Sequence, residues 1–432
     1  MTNNSGSHES LNREISHLGF AAISLNGVIG AGIFALPAVA AAHSGLFSPW
    51  IFILCGVLIL PIVVSMGRAA SFLNSTGRPI QYASRAFGSF VGFQTGWLSA
   101  LARVASTAAN ANLMVIYAGW FWEPISTGVA RVVAVSCILA ALTVANVVGV
   151  RRSLLTLFIL TALKLVPLSL LVIVGISQVN PGILVSAGIP EFSSLGEVIL
   201  VVLYAYVGFE GTLVPAGEGR DSRRDIPRAM IYTIIVITVF YVLIQMVCLA
   251  VLPELAGAKT PLADVASVLM GSAGAALLTL GAFVSIAGNL HGTMLSAPRM
   301  FYALARDKSL PNWFAQIHPE FKTPANAIVA FGAIGLALAI SGTFVWLAAM
   351  STMVRLIIYA LSIASIPKLE KTITAEDGQF KLPGGLFIPA IALIICAWLS
   401  THASISSWLT TLAFTAVGTV LYFYARRNIR QD

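Results

Sequence analysis

Apolar runs of about twenty residues recur along almost the whole of this 432-residue chain. At about 1.5 Å per residue, a helical run of that length crosses a hydrocarbon core roughly 30 Å thick. No water is at hand there for backbone N–H and C=O groups, and a helix satisfies them internally. Twelve candidate spans stand out, at about 18–41, 48–70, 82–118, 129–149, 153–176, 195–214, 230–252, 275–299, 325–342, 344–366, 385–402 and 405–425. They leave no room for a soluble domain. Only 10% of the residues are charged and 58% are hydrophobic, whereas soluble chains carry roughly 25% charged residues. The expected fold class is therefore an all-α polytopic membrane protein with 12 transmembrane helices.

Basic residues set the expected orientation. Of 25 Lys and Arg, twenty fall on one side, only Arg131 and Lys259 fall on the other, and Arg103, Lys164 and Arg355 lie within spans. The positive-inside rule then places both termini in the cytoplasm of a multi-pass plasma (inner) membrane protein. It also accounts for the net charge of +8 without invoking nucleic acid. The polar head, Met1 to Glu9, has no signal-peptide core, so no cleavage is expected. Cys55, Cys137, Cys248 and Cys396 lie in apolar runs and read as small packing residues.

Two spans carry sequences that a continuous helix disfavours. The first holds Gly27, Gly30 and Gly32 within six residues, followed by Pro37. The sixth holds Gly208 and Gly211, followed by Pro215 and Gly217. Unwound backbone at membrane depth is tolerated only where protein buries it or a cavity meets it. Two such breaks five spans apart fit an inverted repeat. The expected layout is a cytoplasmic tail at 1–15, a first repeat at 16–180 (helices 1–5), and a second at 190–370 (helices 6–10). Two extra helices follow at 380–426, then a tail at 427–432. Gly88, Gly92 and Gly96 read differently, as a packing face on span three. A phosphate loop is excluded, because no strand precedes Gly27 and no Gly-Lys-Ser/Thr follows it.

A broken helix has chemical use. Its inner N-terminus offers free N–H groups and a positive dipole end to a carboxylate, and its free carbonyls suit an ammonium group. A site with both fits an amino-acid zwitterion better than a sugar or a simple ion. Ionisable side chains inside spans are costly and point to function or pairing. Lys164 lies deep in span five, too deep to snorkel with ease, and is a candidate proton carrier. Glu210 sits in the sixth-span break, where it could carry a proton, attract a cationic substrate, or stay neutral and bond loose backbone. For Arg103 and Arg355 an ion pair or a water-facing position fits better than a substrate role. A packing role fits His291 better than a relay.

Gly30-Ala31-Gly32-Ile33-Phe34 with Pro37, and Tyr206-Val207-Gly208-Phe209-Glu210-Gly211, resemble the first- and sixth-span signatures of the amino acid–polyamine–organocation superfamily of amino acid permeases. Glu218 with Arg223-Arg224-Asp225-Ile226-Pro227-Arg228-Ala229 is similar to its following loop. Pro298 to Asp307 with Leu310-Pro311, and then His318-Pro319 and Thr323-Pro324, resemble its run after span eight. The resemblance implies the five-plus-five inverted repeat with broken helices 1 and 6 and two extra helices. It implies that backbone at Ile29, Gly30, Ala31 and Gly32 binds the substrate carboxylate. Carbonyls around Tyr204, Ala205 and Val207, next to Gly208, would bind the amino group, with Phe209 as an aromatic lid. Some members have serine where Ala31 stands, so here carboxylate binding would rest on backbone N–H groups alone. Lys164 resembles the lysine that occupies a sodium position in sodium-independent members, with Ser285 or Asn289 as neighbours.

The expected function is sodium-independent secondary transport of L-amino acids, neutral ones favoured, by alternating access with proton symport through Lys164 or Glu210. Exchange is the alternative, with cationic amino acids, polyamines or a non-transporting sensor behind it. The mixed-charge loop 219–228 reads as a gate latch or as a plain positive-inside signal. Neither an enzyme motif nor the like-charged rings of a channel is present. No cofactor, metal, nucleic acid or obligatory protein partner is expected. The partners are the substrate, a proton and the lipid bilayer.

Overall fold

The computed structural model describes residues 16–72, 78–149, 154–180, 182, 188, 192–213, 221–373, 379–382 and 384–429. Among these residues the regular elements are all helical. They are α1 (His17–Val28), α2 (Gly32–Ser44), α3 (Ser48–Ser71), α4 (Arg78–Phe87), α5 (Ser89–Ala118), α6 (Gly128–Val148), α7 (Leu154–Gly175) and α8 (Phe192–Val202). After them come α9 (Ser222–Val251), α10 (Pro261–Ser296), α11 (Pro298–Arg306), α12 (Ala325–Ser341), α13 (Phe344–Ala364), α14 (Ile366–Thr372), α15 (Phe387–Thr401) and α16 (Ile405–Ile429). The N-terminal tail, Pro215, Gly217, Glu218, Gly219 and Arg220 lie outside the described residues.

Seven segments among the described residues are long and apolar enough to cross a bilayer by themselves. The difference from twelve has physical sources. The first and sixth expected spans are split, leaving α1 with 12 residues and α8 with 11. Helices α12 and α15 have 17 and 15 residues. Helix α5 has 30, but Gln94, Thr95, Arg103, Ser106, Asn110 and Asn112 dilute its hydropathy.

Three local expectations are corrected. Span three is two helices, because Gly88 takes φ +94° between α4 and α5, a value that glycine adopts freely. Gly88 therefore belongs to no packing face. A Cβ at Gly92 would stand 2.9 Å from Ser84 Cα, and one at Gly96 2.9 Å from Ile80 Cδ1, so these two glycines seat α4 against α5. Span eight begins fourteen residues earlier than expected, at Pro261, and kinks at Gly271 (φ +68°). Cys137 is exposed on α6, whereas Cys55, Cys248 and Cys396 are buried.

The core lies where α3 packs along α9 and α13 along α5. Small residues allow the close approach: a Cβ at Gly67 would stand 2.9 Å from Pro227 Cβ, and one at Gly281 2.9 Å from Pro167 Cγ. Pro37 inside α2 cannot donate to the preceding turn. Around it, Phe34 O accepts from Tyr117 Oη at 2.7 Å and Pro37 O from Gln245 Nε2 at 3.3 Å. Arg131 ties α5, α6 and α12 together. Its guanidinium donates to Asn112 Oδ1 at 2.6 Å and to Gly342 O at 3.0 Å, a cation at the carbonyl end of α12.

Candidate functional site

The chain unwinds at Ile29, Gly30 and Ala31 between α1 and α2. All three are buried, with Ile29 at 0% and Ala31 at 1% exposure. Lys164, reaching in from α7 and itself fully buried, donates through Nζ to Ile29 O at 2.8 Å and Asn26 O at 3.2 Å. An ammonium thus sits on the carbonyl end of α1, where the helix dipole favours a cation. Ser285 Oγ on α10 reaches Ile29 O and Gly30 O, each at 3.5 Å. Lys164 and Ser285 therefore meet at one carbonyl. The opposite lip of the break is the N-terminus of α2. No side chain caps it, and its first residues, Gly32, Ile33 and Phe34, are buried.

The second break follows α8. Leu203–Ala205 tightens into a 3₁₀ turn, Tyr206 to Gly208 leave the helix, and Phe209–Leu213 forms another 3₁₀ turn. Gly208 has φ +113°. The two breaks touch: a Cβ on Gly27 would lie 2.6 Å from Gly208 O, and one on Gly32 2.8 Å from Ala205 Cα. Backbone meets backbone, with no room for even a methyl group.

Glu210 holds the second break. Its Oε2 accepts from Gly208 N and from Tyr359 Oη, both at 2.8 Å, and its Oε1 accepts from Arg355 Nε at 2.8 Å. Arg355 also donates to the Ser351 hydroxyl. The carboxylate and the guanidinium are 14% and 8% exposed, so the pair is largely desolvated. Tyr206 Oη donates to Phe52 O at 2.7 Å. Phe209 is buried, with its ring 5.3 Å from that of Tyr359. Ala205 and Val207 are buried as well.

Two residues on α5 join the site without having been singled out in the sequence. Tyr204 Oη lies 2.9 Å from Ser106 Oγ and donates to Asn110 Oδ1 at 2.9 Å. Asn110 Nδ2 donates to Asn289 Oδ1 at 2.9 Å. A Cβ on Gly30 would stand 3.0 Å from Asn289 Nδ2, so this polar chain runs from one break to the other. A composition rule could have found it, since α5 carries more uncharged polar residues than any neighbouring apolar span. His291 is half-buried on α10.

Cavities lie on two sides of the breaks. One, of about 540 Å³, runs from Glu210, Arg355 and Tyr359 past Arg103 to the exposed residues Arg299 and Asp307. The other, of about 360 Å³, is lined by Ala38, His43, Ile116, Lys259 and Phe344. The Phe344 ring meets Tyr204 edge-on at 5.9 Å.

The amino acid permease family model matches residues 19–425. The chain is 30% identical to an uncharacterized transporter of Mycobacterium tuberculosis, over 98% of this chain and 94% of the relative. It is 27% identical to the serine/threonine exchanger SteT of Bacillus subtilis, over 89% of each chain. Identity is also 27% to the methylthioribose transporter of the same organism, over 97% of this chain and 95% of the relative. An integral membrane chain with two backbone breaks packed against each other, matched over nearly its whole length, belongs to the amino acid permease family.

Proposed function

We propose that this permease is a sodium-independent secondary transporter of L-amino acids, neutral ones favoured, working by alternating access across twelve spans arranged as an inverted repeat. The observation that carries the proposal is the first break. A buried helix N-terminus without a side-chain cap stands beside an unwound segment whose carbonyl end already holds a fixed ammonium. Orphan N–H groups in that setting call for an anion. The substrate carboxylate fills the role at Gly30, Ala31 and Gly32, and the amino group goes to carbonyls at Tyr204, Ala205 and Val207. The apolar neighbours Ile29, Val207 and Phe209 favour a neutral side chain. Lys164 Nζ already bonds the Asn26 and Ile29 carbonyls that a metal cation would otherwise meet, which supports sodium independence.

Proton symport with Lys164 as carrier is the preferred mode. Deprotonation would remove a cation from Ile29 O and loosen the first break. Glu210 is the poorer carrier, because both its oxygens are engaged by donors. Exchange is the second reading, favoured by the likeness to a relative named as an exchanger. The working orientation has the 540 Å³ cavity facing the cytoplasm, as the positive-inside rule assigns its rim. The test is uptake into proteoliposomes under an imposed pH gradient, for the wild type and for Lys164→Ala. The panel is the twenty amino acids with polyamines and methylthioribose. Gradient-driven uptake that Lys164→Ala abolishes is expected. Uptake indifferent to both overturns proton coupling through Lys164. Flux that requires a counter-substrate on the far side selects exchange. Methylthioribose uptake without amino-acid uptake overturns the substrate class.

A further inference from the structure

The deep end of the 540 Å³ cavity holds two guanidinium groups and one carboxylate: Arg103, Arg355 and Glu210. The carboxylate is fully engaged, with Oε1 on Arg355 and Oε2 on Gly208 N and Tyr359 Oη. Arg355 commits Nε to Glu210 and Nη1 to Ser351. Its Nη2 has no partner among the described residues and is not sealed from the cavity. Arg103, on the middle of α5, makes no hydrogen bond or ion pair with a described residue, and none of its nitrogens is sealed either. Among the described residues, one positive charge at this depth is therefore unbalanced and open to the cavity. An arginine inside a membrane span is costly unless water or an anion meets it.

We propose that Arg103, with the open edge of Arg355, forms a carboxylate subsite on the inner cavity wall, below the helix breaks. A planar guanidinium grips a carboxylate at two points. The subsite rests on the amino-acid reading above, since every such substrate carries that group. Two sources share the chemistry. One is the α-carboxylate of any amino acid, caught on its way between the breaks and the cavity mouth. The other is the side-chain carboxylate of an acidic amino acid still held at the breaks.

The experiment measures half-saturation from each membrane face in proteoliposomes of known orientation, for the wild type, Arg103→Gln and Arg103→Lys. Loss of a charge-assisted contact is expected to raise the cavity-side constant for Arg103→Gln by about tenfold or more and leave the opposite face unchanged. Arg103→Lys, which keeps the charge but not the fork, should recover part of the loss. Aspartate and glutamate preferred over asparagine and glutamine in the wild type alone identifies the side-chain source. An equal effect on acids and amides identifies the α-carboxylate. Unchanged cavity-side constants in Arg103→Gln overturn the subsite while transport stands. An equal rise of the cavity-side constant in the wild type when chloride is replaced by methanesulfonate, which carries no carboxylate, also overturns it, because the group held is then inorganic. Wild-type protein that carries no amino acid overturns the function proposed above and this subsite with it. Should Arg103→Gln fail to fold, Arg103→Lys carries the test, and an unchanged cavity-side constant in it is decisive against the proposal.

Discussion

The two breaks are stabilised by opposite means. At the first, loose carbonyls meet a cation delivered from another helix: Lys164 of α7 on Asn26 and Ile29. At the second, a loose N–H meets an anion of the same segment, Glu210 on Gly208. That anion is then bolted to α13 through Arg355 and Tyr359. The first device has one charged member and can lose it by losing a proton. The second has two charges that neutralise each other in place. A break of the first kind suits a coupling site, and one of the second kind suits a fixed joint.

Glu210→Ala attacks the fixed joint and carries the largest expected effect. It strands Arg355 with its charge uncompensated, which costs about 3–5 kcal/mol. A steep fall in the melting temperature of detergent-purified protein is expected, and a double variant with Arg355→Met should recover most of it. If the single variant melts like the wild type, the joint is not fixed and the contrast fails. Gly208→Ala comes next. A side chain at φ +113° costs about 1–3 kcal/mol, and its Cβ would collide with the Gly27 backbone. Loss of both stability and transport is expected, whereas Gly211→Ala, with open space around its Cβ position, should be mild in both.

Lys164→Met sharpens the comparison from the other side. It removes donors from two buried carbonyls at about 1–3 kcal/mol, with a modest shift in melting expected. The larger expected change is functional, as uptake should no longer follow an imposed pH gradient. If Lys164→Met melts as badly as Glu210→Ala, the cation is structural and the two breaks are alike. Tyr206→Phe has the smallest expected effect. It deletes one hydrogen bond to Phe52 O, worth about 1 kcal/mol, and transport kinetics should stay close to the wild type.

The sequence made the breaks legible because glycine and proline act locally: Gly30, Gly32 and Gly208 weaken a helix whatever surrounds them. The depth of Lys164 was legible by counting residues along its span. Partnership was not. Glu210 and Arg355 are 145 positions apart, and Asn110 and Asn289 are 179 apart. Nothing in either stretch states which helix will lie beside it. Arg103 and Arg355 read alike in sequence, as arginines within spans, and both line one cavity, yet Arg355 is paired with Glu210 and Arg103 has no ion pair among the described residues. Gly88 misled for the same reason. Spacing at four residues suggests a packing face, but only the backbone angle shows that the first glycine of the row ends a helix.

Where Gly27 and Gly208 meet, two strips of main chain lie against each other with no side chain between them. Rotamers elsewhere in a protein act as shock absorbers, taking up small displacements before they travel. Here that cushion is missing, so a shift of either half-helix reaches the other as a push of peptide plane on peptide plane. The pair of missing methyl groups is thus a gearing with almost no backlash.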